Sequence, residues 1–104
     1  MSRLEQLERL LADEPDDVFL NFGVAMELAK LGRFDEAVAR FDRVVELDPK
    51  HCAAYFQKAK VLVQAGRDAE AAESLRAGIA AAVRAGDVHA RDQMRQMLET
   101  MGRG

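Results

Sequence analysis

The sequence predicts an all-α protein, a stack of antiparallel helix pairs made from about six helices, and three observations carry that reading. Phe22, Ala25, Leu28, Gly32, Arg33, Glu36 and Ala37 return as Phe56, Ala59, Leu62, Gly66, Arg67, Glu70 and Ala71, each thirty-four residues on. A fixed period of that length is the mark of a repeat architecture. Pro15 and Pro49 keep the same spacing, and proline closes a helix by removing a donor and clashing with the preceding turn. Between these markers the apolar residues recur at helical rather than strand spacing.

The first helix opens at Ser2-Arg3-Leu4-Glu5, a capping box in which the serine oxygen accepts from a free N–H while the glutamate reaches back. Leu4, Leu7, Leu10 and Leu11 share one face, and Pro15 stops the helix near Glu14. This N-terminal orphan helix, within 1–15, matches the second half of a repeat. Asp16 and Asp17 are candidate N-caps for a helix over about 18–31, which Gly32 ends in the left-handed conformation. That helix is apolar nearly all round, with only Asn21, Glu27 and Lys30 strongly polar, so it must bury more than one face. Asp35 is the expected cap of the next helix, to about Leu47, with Ala37, Phe41, Val44 and Val45 on its inner side.

The following pair is expected over about 52–65 and 69–85, with Gly66 in the turn and Asp68 as cap. Alanines dominate its second helix, favouring helix and close approach. Gly78 within it costs roughly 1 kcal/mol relative to alanine and so marks a tight crossing. Gly86 breaks this helix and Asp87 caps a last one, to about Met101. Ala90, Met94, Met97, Leu98 and Met101 form its apolar side, as a helix that closes the end of a stack requires.

Composition bounds the function. With 49% hydrophobic and 32% charged residues and two prolines, the chain is that of a folded helical protein, not a disordered one. A net charge of -3 excludes a general nucleic-acid binder, which shows a basic surplus. The single cysteine makes no internal disulfide, and no signal-peptide pattern or run of about 18 apolar residues is present. A cytoplasmic protein without a membrane role is therefore expected. There is no nucleophile–base pair, no glycine-rich phosphate loop and no metal-ligand spacing. No enzyme activity, cofactor or metal is expected. Cys52, beside His51 at a helix N-terminus, is placed to have a lowered thiol pKa, but without a resolving cysteine a structural role is the expectation.

The whole pattern resembles the tetratricopeptide repeat family, whose signature is an aromatic, a leucine, a small residue and a tyrosine in the first helix, then alanine, phenylalanine and proline. Residues 18–51 supply Val24, Ala25, Leu28, Ala37, Phe41 and Pro49, with Asn21 in the aromatic place. Residues 52–85 supply Tyr55, Ala59, Leu62, Ala71 and Leu75, and depart at Lys58 and Val83. The resemblance implies a right-handed superhelical stack: orphan helix, two repeats and a capping helix over 87–101. It further implies a non-catalytic adaptor or scaffold that binds a peptide or protein segment in a concave groove lined by the first helix of each repeat. On this sequence the groove residues are Phe19, Phe22, Met26, Lys30, Phe56, Lys60, Val63 and Gln64. Phe22 and Met26 stand at two places where some members carry a carboxylate clamp, so the partner expected here has apolar anchors and negative charge. The alternative is self-association, with the groove holding another copy as a homodimer.

Overall fold

The computed structural model describes residues 1–103, which form six α-helices: α1 (Arg3–Asp13), α2 (Val18–Lys30), α3 (Phe34–Leu47), α4 (Cys52–Gln64), α5 (Asp68–Ala85) and α6 (Val88–Arg103). Each helix packs on its neighbours in the chain, and the first helices α2, α4 and α6 also touch in sequence. The result is a slab of 42 × 29 × 17 Å, the shape of a one-dimensional stack.

The helix ends follow local chemistry. Ser2 and Glu5 form the capping box of α1, Asp17 accepts from Leu20 N at 2.8 Å to open α2, and Asp87 accepts from Ala90 N at 3.0 Å at the start of α6. Gly32, Gly66 and Gly86 all have positive φ, a backbone state that suits glycine where a helix stops. Two expected caps are corrected. Asp35 and Asp68 lie inside the first turns of α3 and α5, and the N-cap positions are Arg33 and Arg67, without a side-chain cap bond. The reason is the brevity of the turn: once the glycine has reversed the chain, the next residue already enters the new helix. The acids then act through the free first-turn N–H groups.

Two apolar clusters fill the slab. One joins Leu4 and Leu7 of α1 to Val24, Ala25 and Leu28 of α2 and Ala37, Phe41 and Val44 of α3, and reaches Ala54 and Val61 of α4. The other joins Ala59 and Leu62 of α4 to Ala71, Leu75 and Ala82 of α5 and Met94 of α6. Ala25, Ala37, Ala59 and Ala71 expose no surface at all, which is why a small residue recurs there: helix pairs meet backbone to backbone. Gly78 is tighter still. A Cβ at that position would overlap Met94 Sδ and lie 2.7 Å from Tyr55 Cβ. Among the described residues no helix is long and apolar enough to cross a membrane.

Candidate docking groove

Two antiparallel pairs, α2–α3 and α4–α5, followed by α6, leave α2, α4 and α6 along one face. Their side chains line two adjoining cavities, one toward the C-terminal end of α4 and one toward its N-terminal end. The first, about 480 Å³, gathers Met26 and Lys30 from α2, Lys60, Val63 and Gln64 from α4, and Met97 from α6. The second, about 360 Å³, holds Phe56 with Cys52, Asp87, His89 and Met94. Gln57 and Lys60 line both.

The remaining two groove residues expected from the sequence stand elsewhere. Phe22 is half-buried, edge-on to Phe41 with ring centres 5.8 Å apart and tilted against His51 at 5.0 Å. It packs against the chain's own core cluster. Phe19, in the first turn of α2, is 81% exposed. Neither lines the two cavities.

The charge of the first cavity is one-sided, while Asp87 adds a carboxylate to the second. The only charged residues lining the first cavity are Lys30 and Lys60. Lys30 lies 3.4 Å from Glu27 Oε1, which also meets Arg3 at 3.1 Å, so a single carboxylate opposes two cations. The Lys60 ammonium rests 4.5 Å over the Phe56 ring, a cation–π contact that holds the charge without neutralising it. One crevice elsewhere on the slab differs. A cavity of about 320 Å³ between α3, α4 and α5 is lined by Asp42, Lys58, Arg67 and Glu70. There Lys58 pairs with Asp42 at 2.6 Å, and Arg67 pairs with Glu70. These four charges pair with one another, and Glu73 adds a further carboxylate to the lining.

Cys52 is corrected in direction. Burial pushes its thiol above the ordinary value, with Asp87 and Asp48 adding to the shift, and its Sγ donates to Lys50 O at 3.5 Å. The helix N-terminus does not outweigh the loss of water, so the thiol is poorly disposed to react. His51 Nδ1 accepts from Ala54 N at 3.2 Å and caps α4. Among the described residues no group of three or more His, Cys, Asp or Glu converges as a metal site.

Several residues that line these cavities were not among those expected from the sequence, Gln57 of α4 and Met97 of α6 among them. Gln57 offered no signal. Met97 was visible only as part of the apolar stripe of the last helix, which reads as packing; its half-buried side chain lies at the edge of the first cavity as well as against the second cluster.

Comparison with known proteins agrees with this architecture. A tetratricopeptide repeat family match spans residues 22–87. The TPR repeat-containing protein PA0015 of Pseudomonas aeruginosa is 32% identical over 100 residues, covering 96% of this chain and 95% of that protein. Among solved structures, protein BPP2914 from Bordetella parapertussis superposes with a TM-score of 0.85 at 27% identity, covering 99% of this chain and 90% of that one. The TPR2B domain of yeast Sti1, solved as its pHsp70 complex, gives a TM-score of 0.86 at 24% identity over 96% of this chain and 80% of that one; this last likeness is one of fold.

Proposed function

The chain belongs to the tetratricopeptide repeat family, and from that premise we propose that it is a non-catalytic interaction module, an adaptor or assembly subunit that docks a peptide or protein segment against α2, α4 and α6. Its units are an orphan helix (1–15), repeats over 18–51 and 52–85, and a capping helix (87–101). The observation that carries the reading is the open, largely apolar cavity between α2, α4 and α6, bordered by Lys30 and Lys60, with a more polar cavity adjoining it around Phe56. Apolar side chains in such cavities supply affinity, and the lysines favour a partner with negative charge. Met26, Lys30, Phe56, Lys60, Val63 and Gln64 are the contact residues. Phe19 extends the surface at its open end, and Phe22 supports it from beneath.

The Sti1 domain, solved with pHsp70, is a neighbour of the same fold that holds a partner. The test is a parallel affinity capture with the native protein and a Met26→Glu/Val63→Glu variant of unchanged helicity. Proteins held by the native chain and lost by the variant are the expected outcome. Identical captures would refute docking at this face. The alternative, a groove that holds a second copy, is separated by light scattering: a dimer that the same variant dissociates would favour self-association.

A further inference from the structure

Phe19, Val83 and Val88 are large apolar side chains left exposed, and they stand at opposite ends of the helix stack. Phe19 lies in the first turn of α2, just past a stretch in which Asp13, Glu14, Asp16 and Asp17 supply four carboxylates and no cation intervenes. Asp16 meets Arg43 and Asp17 caps α2, which leaves Asp13 and Glu14 without a cation in ion-pair range among the described residues. At the other end, Val83 and Val88 border a hollow of about 90 Å³ between the close of α5 and the start of α6, with Asp87 and Arg91 also in its lining. Asp87 is engaged in capping α6, and Asp92 holds Arg91 at 2.9 Å. Arg84, next to Val83 in the last turn of α5, is left without a carboxylate in ion-pair range among the described residues. A single exposed apolar residue needs no partner in itself. Phe19 differs because the same chain offers an apolar hollow of single-side-chain size, with the opposite free charge beside it.

We propose that Phe19 of one molecule enters the Val83–Val88 hollow of a second copy, with Asp13 and Glu14 turned toward its Arg84, so that copies join end to end. The molecule's own hollow is out of reach, because α2 packs on α1, α3 and α4 and not on α5 or α6. Knob and hollow are different surfaces, so the contact is heterologous. Each joined pair keeps one free knob and one free hollow, and association does not stop at a dimer. One side chain in a small hollow falls well short of the roughly 1,000 Å² of a stable interface, so the contact is weak and reversible. The charges that flank it are exposed, and salt weakens it further. This contact uses neither of the two cavities along α4 and does not rest on the docking reading above.

Two variants, each blocked at one end, supply the test. Phe19→Asp removes the knob and keeps the hollow; Val83→Asp/Val88→Asp sets negative charge in the hollow and keeps the knob. All three positions are exposed, so both variants should retain native helicity by circular dichroism. Sedimentation of the native chain from about 10 μM to about 1 mM should give a mean mass that rises through and beyond that of a dimer. Each variant alone should stay monomeric, and their equimolar mixture should stop at a 1:1 dimer, since only one knob–hollow contact can form. Arg84→Glu, which leaves both apolar surfaces in place, should weaken association about fivefold. A native chain that stays monomeric, a mixture that stays monomeric, or either blocked variant associating as the native chain does would overturn the proposal. Association that survives both blocked variants and is lost in Met26→Glu/Val63→Glu would overturn it as well, and would place self-contact in the groove instead.

Discussion

Asn21 in α2 and Tyr55 in α4 occupy equivalent places thirty-four residues apart, and both donate to the carbonyl of the equivalent proline: Asn21 Nδ2 to Pro15 O at 3.0 Å and Tyr55 OH to Pro49 O at 3.0 Å. Around this shared bond the two helix pairs are filled differently. Asn21 is fully buried, gives a second bond to Asp17 O at 2.8 Å and accepts from Arg40 at 3.0 Å. At the place of Arg40, α5 has Ser74, whose hydroxyl donates to Tyr55 O at 3.0 Å. At the place of the buried Val44, α5 has Gly78, pressed against Tyr55 Cβ and Met94. The first pair combines a small polar residue with a larger aliphatic one; the second combines a large aromatic with no side chain at all. What the period preserves is therefore the space between helices and one bond to the preceding turn, not the residues that fill and make them.

Exchanging the fillers should break this equivalence most visibly. Val44→Gly removes a fully buried side chain and adds a glycine to a helix interior, a loss of about 3 kcal/mol and a fall in melting temperature of more than about 10 °C. Gly78→Val overpacks the crossing and should cost about 1–3 kcal/mol. Thermal melts by circular dichroism check both. A Gly78→Val variant as stable as the native chain would mean that the close approach of α5 to α4 and α6 is not required.

A middle-sized effect separates the two bonds to proline. Asn21→Ala leaves a half-buried Arg40 and two carbonyls short of a partner and should cost about 2 kcal/mol. Tyr55→Phe removes one bond at an exposed edge and should cost less than about 1 kcal/mol. Urea titrations of the two variants give the difference directly, and equal losses would contradict the greater burial of the first site.

How much of this was legible beforehand depends on how local each interaction is. Seven matched letters located both pairs, and the alanines among them lie where backbones touch. Ser2, Asp17 and Asp87 cap their helices as their types and positions require, because a cap bond spans only three residues. Asn21 read as a mere departure from an aromatic position, since its partners come from the preceding turn and from α3 and exist only in the folded state. Asp35 and Asp68 misled because acid before an apolar run resembles a cap, whereas the short turn puts the N-cap two residues before Asp35 and one before Asp68. Helical spacing put Phe22 on α2 with Met26 and Lys30, though it lines neither cavity. It carried no information on how far Phe41 and His51 would cover the ring.

The smallest effect concerns acid. The guanidinium groups of Arg33 and Arg67, chiefly by hydrogen bonding, hold the carboxyls of Glu36 and Glu70 below their ordinary value of 4.5. A carboxyl lowered in the folded state stabilises above its ordinary pKa, and that contribution is lost as pH falls through the lower folded value. Both pairs are exposed, so the contribution is small. A Glu36→Gln/Glu70→Gln variant should show a shallower fall in urea midpoint than the native chain between about pH 6 and pH 3. Arg67 also reaches Asp35 at 2.8 Å, linking α3 to α5. Glu70→Gln alone should therefore matter less than Glu36→Gln alone, because Arg67 keeps a second carboxylate.

The docking face itself is best read through its methionines. Of the five in the chain, Met26 and Met97 line the first cavity, while Met1, ahead of α1, is exposed and lines neither cavity. With methyl-labelled methionine, titration of a peptide selected on the native protein should shift the Met26 and Met97 methyl resonances to saturation and leave Met1 in place. Saturating binding with Met26 and Met97 unmoved would contradict the assignment of α2, α4 and α6 as the docking face.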